Sequence, residues 1–541
     1  MLRLSCMSTS PSVLPLRSQR KKRLDRALIA FALISASSLA TAKTPQQQAN
    51  GRAAISAADF AESVGGTLST FHSPALIEPK KLLNNPTNPN VQAFSFRYTG
   101  TTTGFDEEFL IGLPDPAVSS PRQAAPVLIL WHQWSSSRFD TWSRTHFFEL
   151  ATTRGWYVIA PTGAHEFHMG IEYGQRNTQE LINFMAQFVS GLSGLPPFDE
   201  TRIYGVGFSM GGGGLVSNAC RYLDPTGFPY AAIFNLTGTM SAASGWLNDR
   251  LPPKNNPTQF GTELRSHPMM FGGDPGLPQF SFGYQIASTI HLWPTPNIVA
   301  PGSDLLRNIP EINVSNSYIS GDTHPNKNQV DQAVAHATTA HAGSTSQFLF
   351  SELPPDPTVP PTQTAHPLHC WEHIHPYEDQ ILTWFEDKRF DKPSGYARIL
   401  ADRDARYYDI SVTQNPSLVA ASHQGIFSAF EYDVSDVMPA NTLWLESSRE
   451  TAALEIHSAD MGLDTTPGAL LTLDLNGPAT PTPVQIILND SIAAPSLVTR
   501  DGVTIPATST GPNSWSFSGS KLTIHESNPS STPTPTPWTI Q

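Results

Sequence analysis

The stretch Gly205-Val206-Gly207-Phe208-Ser209-Met210-Gly211-Gly212-Gly213-Gly214-Leu215-Val216-Ser217 decides the fold of this chain. One serine sits between two glycines and four glycines follow in a row, which suits either a flexible loop or a sharp turn that presents one side chain. The residues in front separate the two. Thr201 to Phe208 reads TRIYGVGF, a short run rich in β-forming and apolar residues, so a strand feeds the serine. The G-x-S-x-G pentapeptide is common by chance, but between a strand and a helix it makes a nucleophile elbow. Its glycines allow close contacts and a strained backbone that lifts the serine hydroxyl to the end of a sheet. Gly212 to Gly214 then fit the start of a helix packed closely on that sheet, at some cost in helix propensity.

Outward from the elbow, strands and helices alternate. VQAFSFRYTG and EEFLIGLP form an antiparallel opening hairpin, and APVLILW is a short, continuously apolar strand of the buried kind. FDTWSRTHFFELATTRG reads as one amphipathic helix, WYVIAPTG as a strand and TQELINFMAQFVSGL as a helix before the elbow strand. YAAIFNLTGTM, SNSYISG and QFLFSEL continue the strands; NQVDQAVAHATTAHA and YEDQILTWFEDK continue the helices. This alternation predicts an α/β fold, a mostly parallel sheet flanked by helices, over residues 91–392. Within it, residues 241–310 are rich in Pro, Gly and Asn and read as an excursion over the sheet edge that could form a lid. From 393 to 527 short strands follow one another without helices, the texture of a C-terminal all-β, sandwich-like domain. Residues 43–90 read as an extended N-terminal arm, and the Pro/Thr-rich tail 528–541 as unstructured.

The first 42 residues hold Arg17, Arg20, Lys21, Lys22, Arg23 and Arg26, then the apolar run Ala27 to Ala40 and an Ala-Thr-Ala site at Ala40 to Ala42. Such a segment reads as a cleavable signal peptide, and its apolar run is shorter than the roughly 20 residues a bilayer span requires. The expected location is secreted or periplasmic. The chain has 33 Lys and Arg against 46 Asp and Glu, a net charge of −13. Losing the basic leader makes the remainder more acidic still. A chain of that sign repels nucleic acid and anionic membrane surfaces, so no nucleic acid and no membrane is expected as partner after signal cleavage. A small-molecule or polymeric ester is the easier partner; oligomeric state is open. Beyond the leader only Cys220 and Cys370 remain. An exported chain lets thiols pair, but Cys220 lies a helix length beyond Ser209 whereas Cys370 adjoins a candidate base, which argues against a bridge.

A serine becomes nucleophilic when a base takes its proton and a carboxylate orients the base. On this topology the order is serine, acid, histidine, each at the carboxyl end of a strand. Asp322 directly follows SNSYISG and leaves one helix and one strand before the histidines; Asp274 in PMMFGGDP competes. The loop AHPLHCWEHIHP offers His366, His369, His373 and His375, with His369 best placed over Ser209 and His373 next. Four histidines so close also invite a metal, yet no HExxH is present and Pro367 and Pro376 favour a loop, so neither metal nor cofactor is assigned. His165 and His168 are isolated and read as surface histidines. The oxyanion of acyl transfer needs two backbone N–H donors. Met210 supplies one, and Trp134, or its neighbour Gln133, the other. Trp131, Trp134, Trp142 and Phe208 suit an apolar acyl group, with Trp131 and Phe208 as substrate contacts.

Asp199-Glu200-Thr201-Arg202-Ile203-Tyr204-Gly205-Val206-Gly207-Phe208-Ser209 resembles the D-x-x-R-V-Y-V-T-G-x-S stretch of secreted polyhydroxybutyrate-depolymerase-type and feruloyl-type esterases of the α/β-hydrolase superfamily. Asp322-Thr323-His324-Pro325 is similar to their D-T-x-V-P acid loop without the valine, and His369-Cys370-Trp371 to their G-H-x-W with Leu368 in place of glycine. Gly207 to Gly214 also resembles the nucleophile region of cutinase-like polyester hydrolases, where an aromatic stands at the position of Trp134. The main departure is His132-Gln133 where the family has His-Gly. The resemblance covers roughly residues 95–392 and implies an α/β-hydrolase fold and ester cleavage, with polyhydroxyalkanoate-type polyesters among the substrates. A secreted peptidase and a β-diketone hydrolase of the oxidised polyvinyl alcohol type share the fold and remain alternatives. So does a surface- or carbohydrate-binding protein with an inert core.

Overall fold

Continuous apolar strands need cover on both faces, and the chain supplies it. The computed structural model describes residues 75–76, 92–99 and 106–541, apart from 164–165, 168–169, 193, 249–269, 293–303, 341–347, 360–365, 394, 423–426, 435–437, 478–482, 492, 509–510, 528 and 530–535. The expected leader, most of the expected arm, His165, His168 and much of the expected excursion at 241–310 lie outside the described residues.

Nine strands form one sheet: β1 (Ala75–Leu76), β2 (Gln92–Thr99), β3 (Asp106–Leu113), β4 (Ala125–Trp131), β5 (Tyr157–Pro161), β6 (Phe198–Phe208), β7 (Tyr230–Leu236), β8 (Asn313–Ile319) and β9 (Phe348–Leu353). Their spatial order is β1-β2-β3-β5-β4-β6-β7-β8-β9. β1, β2, β3 and β5 pair antiparallel in turn, and every neighbour from β5 to β9 is parallel. β5 lies on one side of β4 and β6 on the other, so the strand order reverses at β4. Ligand crevices of open α/β sheets form at such a switch, at the carboxyl ends of the strands. β6 ends there at Phe208 and β4 at Trp131.

β4, β5 and β7 are buried along their whole length, as their apolar runs require. β8 is equally buried but polar, reading NVSNSYI. It tolerates burial because its side chains find partners: Asn316 Oδ1 accepts from Asn235 Nδ2 at 2.8 Å, Asn313 Nδ2 donates to the Ala231 carbonyl at 3.1 Å, and Ser317 meets Ser351 at 2.7 Å.

Among the described residues, this region holds helices α1 (Arg138–Arg144), α2 (Phe147–Thr153), α3 (Glu172–Ser190), α4 (Met210–Ala219), α5 (Ala242–Asn248), α6 (Pro278–Ile286), α7 (Asn326–Ala340) and α8 (Glu378–Phe385). The single helix expected after β4 is two. Thr145 is extended between them, and Glu378, 232 residues away, accepts the His146 N–H at 2.9 Å and the His146 Nδ1–H at 2.7 Å, restarting the chain as α2. α1, α2 and α8 cover one sheet face through Trp142, Phe147, Phe148, Leu382 and Phe385, the last stacked on Tyr204 at 4.9 Å. The fold of this region is that of an α/β hydrolase.

Residues beyond 395 make two further sheets of seven and six strands. Alternating burial gives their strands one inward face, and Tyr407 of one sheet meets Phe430 of the other edge-on at 6.3 Å. The tail corrects the expectation of an unstructured end. Thr536–Ile540 is a strand between Leu471–Asn476 and Val498–Arg500, with Trp538 fully buried and its Nε1–H donating to Glu526 at 2.8 Å. Its T-P-W-T-I alternation sends Thr536, Trp538 and Ile540 inward.

A buried ion pair joins the two regions. Arg221, just past α4, meets Asp402, and both side chains are fully buried. Arg221 also donates to the Ser217, Gln285 and Ser288 carbonyls, while Arg403 holds the other Asp402 oxygen at 3.1 Å and the Tyr222 hydroxyl at 2.9 Å. Asn308 sits between, bonded to the Cys220 carbonyl and to both backbone groups of Leu400.

Candidate active site

At the end of β6 the backbone turns with φ 54° and ψ −120° at Ser209, a left-handed conformation that is strained for a residue with a side chain. Backbone bonds hold it: Ser209 N–H donates to the Leu236 carbonyl at 2.9 Å, and its own carbonyl accepts from Gly213 and Thr239. The glycines that follow are needed for close approach. A Cβ at Gly211 would overlap the Trp131 and His132 carbonyls, and one at Gly213 the Thr239 carbonyl. The glycine run is therefore a packing device against β4 and the loop after β7, and α4 begins immediately at Met210.

Three residues meet there: Ser209 at the end of β6, Asp322 just past β8, and His369 in the loop between β9 and α8. His369 Nε2 lies 2.8 Å from Ser209 Oγ, and its Nδ1–H donates to Asp322 Oδ2 at 2.9 Å. Asp322 Oδ1 accepts the His324 N–H at 2.8 Å. Burial alone would raise the Asp322 pKa, but the His369 hydrogen bond and charge, with the His324 N–H, outweigh it and hold the carboxyl below its ordinary range. The row is ordered to pass a proton from Ser209 to His369 while Asp322 stays ionised. Arg144 anchors the histidine loop, donating to both oxygens of Glu372 at 2.7 and 2.9 Å, and its carbonyl accepts from His375.

The loop after β4 faces the elbow. His132 is fully buried, its ring nitrogens 2.7 Å from the Gln133 carbonyl and 2.8 Å from that of Thr162. Burial lowers its pKa from the ordinary value against the pull of those two carbonyls. Ser135, at φ 55°, donates to Glu166 at 3.0 Å. Trp134 stays half-buried, 4.9 Å from the Phe167 ring, on a cluster of Met210, Ala243, Trp246, Phe271 and Tyr284. Met210 opens α4, and first-turn N–H groups have no acceptor within their own helix.

Other expectations fall elsewhere. Trp131 and Phe208 are not substrate contacts: Trp131 is buried beneath α4 with its Nε1–H on the Tyr230 hydroxyl, and Phe208 is buried beneath His369 and Trp371. Each points to the inner side of its strand end. Trp142 packs on Phe148 in the core. Asp274 accepts from Gly276 N–H in a turn. His366 contacts Thr323, and His373 is buried. His375, His146 and Glu378 bring ligand-type atoms within 4.8 Å of one another, tied into the hydrogen bonds that start α2. Cys220 and Cys370 are free, buried thiols, and burial first, then Glu372, pushes Cys370 up to about 12. Two features had no sequence expectation: Arg221, an arginine in otherwise small and apolar surroundings, and His324, the histidine of the acid loop two residues past Asp322.

No family model and no curated protein matches the chain in sequence. Among solved structures, an S-formylglutathione hydrolase from Agrobacterium tumefaciens aligns over 57% of this chain and 99% of its own, at 12% identity and a TM-score of 0.37. The fluorophosphonate-binding serine hydrolase FphF of Staphylococcus aureus covers 55% and 98%, at 15% and 0.35. An acetyl xylan esterase from Paenibacillus sp. R4 covers 64% and 100%, at 10% and 0.34.

Proposed function

We propose that the chain is an exported serine hydrolase that cleaves apolar carboxylic esters, aliphatic polyesters among them, through an acyl-enzyme. The observation that carries this reading is the continuous row from Ser209 Oγ through His369 to Asp322, with donor and acceptor in the order acyl transfer needs. Ser209 Oγ attacks the acyl carbon as His369 Nε2 takes its proton. The N–H groups of Met210 and Trp134 receive the oxyanion. The ester C–O bond then breaks, and His369 returns the proton to the departing alcohol. Water repeats the cycle: His369 takes its proton, hydroxide attacks the acyl carbon, and Ser209 leaves reprotonated with release of the acid.

The substrate class rests on the wall beside the serine, where the partly buried Trp134, Phe167 and Phe280 offer ring surface for an acyl chain over the buried Trp246. The basic and apolar leader supports export to the periplasm or medium.

A panel of chromogenic acyl esters of increasing chain length, peptide amides, a β-diketone and a polyester film tests the reading. The expected result is ester turnover that rises with acyl length through the short chains and exceeds amide and diketone turnover by at least about 100-fold, near 2.7 kcal/mol of barrier. Faster amide than ester turnover would replace it with a peptidase.

A further inference from the structure

The proposed mechanism uses one imidazole, yet three meet at the acid loop. His324 lies flat on His369, ring centroids 3.9 Å apart and planes within 12°, and His366 meets His324 edge-on at 4.8 Å. His324 touches both members of the orienting pair: its backbone N–H binds Asp322 Oδ1, and its ring covers the base. Its tautomer is defined as well. His324 Nδ1 accepts the Asn326 N–H at 3.2 Å, where α7 begins, so in the neutral ring the proton sits on Nε2.

We infer that His324 is a positioning residue which clamps the plane of His369 while neutral and disables it when protonated, so that activity is lost at low pH through two protons rather than one. The inference rests on the reading of Ser209, His369 and Asp322 as the catalytic row. A neutral aromatic face beside a ring that turns cationic during turnover is attractive. Two imidazolium rings at 3.9 Å repel, and the Asp322 carboxylate is already paired with His369. Protonation at Nδ1 also removes the acceptor of the Asn326 N–H. Among the described residues, titratable groups that meet His324 are Asp322 on its own loop, and His366 and His369 on the base loop. His366 differs in its contacts: its Nδ1 lies 3.1 Å from Thr323 Oγ1, and burial, then the neighbouring His369, lowers its pKa although Asp322 pulls the other way. His324 is the ring stacked face to face on the base.

Two variants separate ring from acceptor. His324→Phe keeps a flat ring and cannot titrate; His324→Asn keeps an acceptor for Asn326 and removes the ring. The measurement is kcat/KM for a short acyl ester from about pH 4 to 9, with melting temperatures as the folding check. Wild type is expected to show an acid limb steeper than one proton. The Phe variant is expected to show a one-proton limb displaced to lower pH, with activity at about pH 8 within roughly threefold of wild type. The Asn variant is expected to lose about 10- to 100-fold at every pH, in kcat rather than KM, because the base is no longer held in line. A one-proton limb in wild type, with both variants overlaying it, overturns the inference. If the Asn variant does not fold, the Phe profile alone decides. Fluorophosphonate labelling of wild type in the same samples separates the two levels. Labelling with wild-type-like variants removes only the role of His324, whereas no labelling removes the hydrolase reading and this one with it.

Discussion

Helix α4 carries a charged network at each end, and the two differ in one component. Just before its first residue, Ser209, His369 and Asp322 form a row in which Asp322 is fully buried and His369 keeps a tenth of its side chain exposed. Just after its last, Arg221, Asp402 and Arg403 form a second row, with Arg221 and Asp402 fully buried. Each carboxylate is held ionised against the cost of burial by cationic and N–H partners. The difference lies in the partner. An imidazole gains and gives up a proton near neutral pH, so the first network can move charge. A guanidinium does not, so the second can only hold position. One end of α4 is suited to chemistry, and the other fixes the all-β region to the α/β core as a brace.

Removing one group from each end separates these roles. Ser209→Ala is expected to lower ester kcat by at least about 10⁴-fold while leaving the melting temperature equal or higher, since a nucleophile knockout removes the acyl route and no buried charge. Residual kcat within tenfold would erase the distinction between the two ends.

Arg221→Met leaves Asp402 buried with fewer partners, and a loss of about 3–5 kcal/mol in urea unfolding is expected. The double variant Arg221→Met with Asp402→Leu should recover much of it, because no lone buried charge remains. If the single variant unfolds like wild type, the junction is not a brace. Gly213→Ala drives a methyl onto the Thr239 carbonyl beside the elbow, and about 1–3 kcal/mol of stability should be lost together with activity.

The smallest effect is in pH. Asp402 and Asp322 both have folded pKa values below their unfolded ones, so each contributes stability that is fully present above the unfolded value, about 3.9, and is lost as pH falls through the lower folded value. Urea midpoints should be flat in carboxylate terms above about pH 5 and fall below about pH 4. The fall should be shallower in the Arg221→Met, Asp402→Leu pair than in wild type; equal slopes would remove Asp402 from the acid response.

The elbow end of α4 was legible from sequence, and its other end was not. Ser209 and Asp322 stand at or just past a strand end and His369 in the loop that follows the last strand of the sheet, in a fixed chain order, and topology limits which residues can meet. Arg221 meets Asp402 across 181 residues, and nothing near either residue marks the pairing. The same remoteness hid the break between α1 and α2, which is made by Glu378. Trp131 and Phe208 were misassigned because an aromatic at a strand end has the same local pattern whether it turns to the crevice or to the core. The strand at Thr536–Ile540 was hidden by the prolines around it, which argue against sheet, while the burial of Trp538 outweighs them.

The central claim is that Ser209 is the residue activated by the row at the head of α4. Intact-mass and peptide mass spectrometry after incubation with a fluorophosphonate tests it most directly. The account predicts a single adduct on the Ser209 peptide, absent in Ser209→Ala and formed at least about 100-fold more slowly in His369→Ala. An adduct that survives Ser209→Ala, or folded wild-type protein that takes up none, would contradict it.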